Sequence, residues 1–81
     1  MRVISSDYTI NASYENSLFC VIEDEANNEY YIGIRNSSLT SYLPIATYST
    51  KEAAVNAMKQ LVDYGNSSLN SNTKYVISSE K

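Results

Sequence analysis

The clearest element of the chain is a single amphipathic stretch that opens at Ser49 and closes at Gly65. Ser49 with Glu52 three residues on forms a capping-box pattern, Tyr48 stands at the staple position, and Lys51-Glu52-Ala53-Ala54-Val55 are mostly good helix formers. This predicts a helix over residues 50–64, with Gly65 as a left-handed stop. Ala54, Met58, Leu61 and Val62, with Val55 and Ala57 beside them, form one broad apolar stripe, while the charged and amide residues fall mainly elsewhere. One helix cannot enclose a core by itself, so the stripe has to lie on a sheet.

The segments before the helix supply that sheet. Residues 2–6 are β-branched at Val3-Ile4 and are followed by the turn former Asp7, which predicts an N-terminal strand; residues 8–16 read as loop. Leu18-Phe19-Cys20-Val21-Ile22 is a run of five apolar residues, too short for a buried helix, and predicts a central strand. Across the polar stretch Asp24-Glu25-Ala26-Asn27-Asn28 lies Glu29-Tyr30-Tyr31-Ile32-Gly33-Ile34-Arg35. There Tyr30, Ile32 and Ile34 alternate with Tyr31, Gly33 and Arg35, so the pair reads as an antiparallel hairpin. Asn36-Ser37-Ser38 signals a second turn, and residues 42–48 another strand, which Pro44 places at an edge or at a strand start because it lacks a donor N–H.

After Gly65 the composition turns polar, and Lys74-Tyr75-Val76-Ile77-Ser78 resembles one more strand. Val76-Ile77-Ser78-Ser79-Glu80 repeats Val3-Ile4-Ser5-Ser6-Asp7 in type. Two readings stay open: coincidence between β-prone segments, or two equivalent edge strands, one of which pairs with a partner chain. The expected organisation is a single β-β-β-β-α domain over residues 1–65, a flexible polar linker over 66–73, and a C-terminal edge strand and tail over 74–81. The fold class is α+β, a mainly antiparallel sheet of four or five strands with the helix on one face.

Composition narrows the chemistry. The chain has 81 residues, no His and one Cys, so no disulfide within the chain, zinc site or Cys–His nucleophile is expected. A chain this short buries roughly 60–65% of its unfolded surface, too little for a deep enclosed active site. With a net charge of −3 and its Lys and Arg scattered, direct nucleic-acid binding is not expected. The start of the sequence lacks a secretory apolar region, and no apolar run approaches the ~20 residues of a membrane span. The expectation is a non-enzymatic protein without cofactor or metal, in the cytoplasm of a bacterial host cell.

Eight Tyr against one Phe is the unusual part of the composition. Tyr offers stacking area and a hydroxyl and is favoured at recognition surfaces; it is also simply a good strand residue with a wet rim. Tyr31 and Arg35 lie on one strand face with Gly33 between them, a small shelf where a partner backbone or planar ligand can approach, and Tyr42 and Tyr48 extend it. The candidate binding set is therefore Tyr30, Tyr31, Arg35, Tyr42 and Tyr48. Glu23, Asp24 and Glu25 lack the spacing of a calcium loop and read as a solvated hairpin tip. Cys20, inside its apolar run, reads as a buried small hydrophobe.

The opening Met1-Arg2-Val3-Ile4-Ser5 with Asp7, then Tyr14-Glu15, and later Tyr48-Ser49-Thr50-Lys51-Glu52 with Ala53, Ala54, Ala57 and Met58 along the helix, resembles a family of small uncharacterised proteins from phages and prophages of Firmicutes. The resemblance covers roughly residues 1–64; residues 65–81 lack the aromatic, Pro-containing ending such proteins often have. It implies the sheet and the helix, and brings no catalytic residue or ligand with it. The expected function is a phage-encoded binding protein that modulates or inhibits a host protein, an antagonist of bacterial immunity. The other reading is a small-ligand-binding or sequestering protein that acts as a homo-oligomer, joined through edge strands.

Overall fold

The computed structural model describes residues 1–36, 41–67 and 73–79. Among these residues six strands and one α-helix follow in the order β1 (Arg2–Ile4), β2 (Asn11–Ser13), β3 (Ser17–Asp24), β4 (Glu29–Asn36), β5 (Leu43–Tyr48), α1 (Lys51–Ser67) and β6 (Lys74–Val76). The fold is α+β, with the strands divided between two three-stranded sheets, β2-β1-β6 and β3-β4-β5. Most of the turn expected at Asn36-Ser37-Ser38, most of the linker expected over 66–73 and the last two residues of the tail lie outside the described residues.

The hairpin forms as its alternation requires. β3 and β4 pair antiparallel from Ser17 opposite Asn36 to Asp24 opposite Glu29, and β5 pairs antiparallel on the other side of β4. A 3-10 turn at Glu25–Asn27 closes the tip, and Asn28 ends it at φ 51°, a left-handed geometry that Asn tolerates better than most residues. Ile32 and Ile34 are buried in the core, and Tyr30, Phe19 and Val21 pack against it from the same face. β3 stands at the sheet's edge, not at its centre as its apolar run predicts, and none of its eight residues is fully buried. Pro44 is the second residue of β5, the opposite edge.

The second sheet joins the two ends of the described chain. β1 lies between β2, antiparallel, and β6, parallel, so the two similar segments are not equivalent edges: one is the centre and the other its neighbour. Their register is offset from the sequence match by one, with Val3 opposite Tyr75 and Ile4 opposite Val76. The offset turns Val3 inward from β1 while Ile77 is the buried residue at the end of β6 and Val76 is exposed. β2 falls in the stretch expected to be loop; Asn-Ala-Ser has little strand propensity, and pairing with β1 overrides it.

β5 ties the sheets together. Its free edge receives the Ser6 N–H at Ile45 O (2.9 Å), donates from Thr47 N–H to Ser79 Oγ (2.9 Å), and accepts from the same Ser79 hydroxyl at Thr47 O (2.7 Å). The Tyr48 hydroxyl donates to Ser78 O. The Ser-Ser pairs that follow Val-Ile at both ends thus hold neighbouring positions on one strand. Met1, Val3, Ala12 and Ile77 from one sheet, Ile32, Ile34, Ile45, Ala46 and Tyr48 from the other, and Ala54 and Leu61 from α1 form one core.

α1 begins on Thr50, whose side-chain oxygen accepts the Ala53 N–H (3.1 Å) and whose carbonyl accepts the Ala54 N–H (3.2 Å). The helix does not stop at Gly65, which has no positive φ, but runs to Ser67. Gly65 serves packing instead: a Cβ there would stand 2.6 and 2.8 Å from ring carbons of Tyr14, which stacks on Phe19 with centroids 5.7 Å apart. The absent side chain lets Tyr14 lie against the helix backbone.

Candidate functional site

Since α1 and the core cover the Tyr30/Ile32/Ile34 face of the β3-β4-β5 sheet, the alternate residues form the opposite face. Register sets them in rows: Leu18 beside Arg35, Cys20 beside Gly33 and Pro44, and Ile22 beside Tyr31 and Thr47. Tyr42, just before β5, joins them, because the direction in which a Gly33 Cβ would point leads to Tyr42 Cβ at 3.1 Å and Ile22 Cδ1 at 2.6 Å. Of these residues only Gly33 is buried, and Leu18 is 55% exposed. The result is a largely apolar sheet face with aromatic rings and one cation, and with the carboxylates of Asp24 and Glu29 in the row at the hairpin tip.

Arg35 lays its guanidinium over the Tyr42 ring, 5.3 Å from the centroid, and among the described residues no carboxylate is within ion-pair distance of it. A guanidinium over an aromatic face keeps its N–H donors for other partners, which suits recognition of a carbonyl or carboxylate. Tyr31 donates its hydroxyl to Glu29 Oε2 at 2.5 Å, and this bond to a carboxylate pushes the phenol up to about 12. Tyr31 therefore stays a neutral donor over the accessible pH range.

The candidate set divides between the two faces. Tyr31, Arg35 and Tyr42 come together on the outer face around Gly33. Tyr30 and Tyr48 pair with each other on the core side; Tyr30 is half-buried and Tyr48 is 4% exposed. The expected shelf above Gly33 is filled by the chain itself, because Ile22 and Tyr42 close over the glycine. Cys20, expected to be buried, is half-buried on the outer face. The acidic tip is a solvated corner where Glu23 pairs with Lys51 Nζ (2.7 Å) and Asp24 accepts from Asn27 Nδ2 (2.9 Å).

Two features escape the sequence reading. Tyr8 is 72% exposed at φ 63°, a left-handed conformation rarely adopted by a bulky residue, and nothing in its neighbourhood of Asp7 and Thr9 marks this in sequence. The other is a cleft of about 270 Å³ between α1 and the β5/β6 ends, where Asn56 and Gln60 from the helix meet Tyr75, Ile77 and Ser78. Asn56 and Gln60 sit one turn apart on the helix, but their convergence with residues twenty positions later depends on the β1–β6 pairing. None of the described residues lining the cleft is charged, and burial raises the Tyr75 phenol.

Among the described residues no group of three His, Cys, Asp or Glu side chains could hold a metal ion, and no helix is long and apolar enough to cross a membrane. No curated protein and no solved structure matches the chain. A family model does match, over residues 6–79, which takes in every element except β1: the chain belongs to the family described as protein of unknown function (DUF1410).

Proposed function

We propose that the protein is a non-catalytic binding protein that holds another protein on the outer face of the β3-β4-β5 sheet. The observation that carries the reading is the Tyr31/Arg35/Tyr42 cluster set among Leu18, Cys20, Ile22 and Pro44 on the face opposite the helix. Tyr and Arg dominate the energetic centres of protein interfaces, where apolar surroundings exclude water and strengthen each polar contact. A single cation on a chain of net charge −3 argues against a phosphate backbone as the occupant. The resemblance of the opening and of the helix entry to phage proteins makes the partner a host protein that this chain modulates or inhibits, with bacterial immunity as the setting.

Immobilised wild-type protein and the variants Tyr31→Ala and Arg35→Ala, passed over the same host lysate, test this. One captured chain, lost from both variants while their circular dichroism is unchanged, is the expected result. Retention that both variants leave intact overturns the assignment of this face.

The cleft under Asn56 and Gln60 favours a second reading, a small neutral ligand bound through amide and hydroxyl groups. At about 270 Å³ it falls just below the ~300–1,000 Å³ of ordinary ligand pockets, and its described lining offers no charge to orient a metabolite, which is why it ranks second. A rise in Tm with a panel of neutral metabolites, abolished by Gln60→Ala, would move it to first place.

A further inference from the structure

Among the described residues the two sheets have four edges, and three are blunted. β2 and β6 are three residues long, and the free edge of β5 is occupied by Ser6 and Ser79. The fourth is β3, eight residues long, with one strand neighbour among the described residues and with no Pro, Lys or Arg along it. A long, apolar strand left unpaired along one edge is a template for strand addition. Its five apolar residues read as a central strand, yet Phe19 and Val21 remain half-exposed even though they face the core side.

The sequence of β3 also says what completes it. Ser17-Leu18-Phe19-Cys20-Val21-Ile22-Glu23 is palindromic in polarity about Cys20. We propose that a second copy of this chain pairs with β3 through its own β3, antiparallel, about a two-fold axis passing between the two Cys20 residues. Leu18 then faces the second copy's Ile22, Phe19 faces its Val21, and Ser17 faces its Glu23. A shift that centres the axis on Val21 sets Phe19 against Glu23 and Leu18 against Asp24. Centring it on Phe19 sets Val21 against Ser17. A shift by one residue puts the two faces out of phase. Only the Cys20 register matches apolar with apolar on both faces.

Charge agrees with this arrangement. The acidic hairpin tips, with Glu23, Asp24, Glu25 and Glu29, fall at opposite ends of the joined strands, about 20 Å apart at Glu23 and more beyond it at ~3.4 Å per residue, beyond the screening distance. Each tip comes alongside the end of the other copy that carries Arg35. The axis runs through the sheet, so both Tyr31/Arg35/Tyr42 faces end on one side of a continuous six-stranded sheet. The dimer does not depend on what those faces bind.

Light scattering on the purified chain, with no lysate present, reads the result directly. Wild-type protein is expected at twice the 9.1 kDa of one chain. Leu18→Lys, at a position already 55% exposed, is expected to fall to the mass of one chain with its circular dichroism unchanged. Combining Leu18→Lys with Ile22→Glu, which sets opposite charges across the axis, is expected to restore the dimer. Diamide, which takes up the two thiol hydrogens, is expected to link the wild-type copies through Cys20 and not to link Cys20→Ser. A wild-type mass of one chain, or a mass that doubles only when lysate is added, overturns the proposal. So does a dimer that survives Leu18→Lys, and failure of the charge pair to restore it overturns the register.

Discussion

A glycine in the last turns of a helix is ordinarily a weakness, and replacing it by Ala gains about 0.5–1 kcal/mol. Gly65 reverses that sign, because the added methyl runs into the Tyr14 ring and the ring can yield only by leaving its stack on Phe19. Gly65→Ala is expected to lose about 1–3 kcal/mol in urea unfolding, and to become neutral or favourable once Tyr14→Ala removes the ring. Ser5 and Asp7 show the same dependence on a few atoms. Ser5 Oγ, 1% exposed as a residue, donates to Asp7 Oδ1 (2.7 Å) and accepts the Ile10 N–H (2.9 Å), while Thr9 donates to Asp7 from both its hydroxyl and its N–H. The Thr9 hydroxyl first, then that of Ser5, lower the Asp7 carboxyl from 3.8 to about 2. Its folded value lies below its unfolded one, so its contribution is fully present above pH 4 and is lost as the pH falls from 4 to 2. Wild-type protein should therefore outlast Asp7→Asn in urea at pH 6, and the gap should close by pH 2; a constant gap would mean that the loop does not use the carboxylate's charge.

At the scale of elements, the helix entry is sharp enough to test singly. Thr50→Ala removes the oxygen that accepts the Ala53 N–H and should cost about 1 kcal/mol, read as a lower urea midpoint at unchanged slope. The elements legible in the sequence are those whose signal is local: the alternation in β4, the polar tip between β3 and β4, and the amphipathic stripe of α1. What was not legible depends on contacts between distant residues. β2 exists because β1 lies beside it, and Gly65 reads as a stop because nothing in the sequence places Tyr14 there. The candidate site was half legible for the same reason: alternation puts Tyr31 and Arg35 on one face, but it cannot show that Tyr48 is drawn into the core by β6 or that Tyr42 covers Gly33. The five-residue run in β3 says central strand, and the described residues of the single chain supply a neighbour on one side only.

For the whole molecule, the decisive feature is that β1 and β6 converge on β5, so each sheet needs the other. Ile77 is 1% exposed in the shared core, and one residue further Ser78 O receives the Tyr48 hydroxyl. Ser79 then satisfies both the N–H and the carbonyl of Thr47. A short terminal strand of this kind would fray independently if only its three ladder residues held it. Anchored at Ile77 and Ser79, it should instead unfold with the rest. Ile77→Ala is expected to cost about 2–5 kcal/mol, and Ser79→Ala about 1–3 kcal/mol because it strands a half-buried backbone N–H. Against the ~4–12 kcal/mol typical of a domain of this size, the first loss alone approaches what the fold can bear. Hydrogen exchange at Ile32, in the middle of the other sheet, checks the coupling. Its protection should fall in Ile77→Ala by the same factor as global stability, and protection unchanged at Ile32 would mean that the two sheets unfold separately.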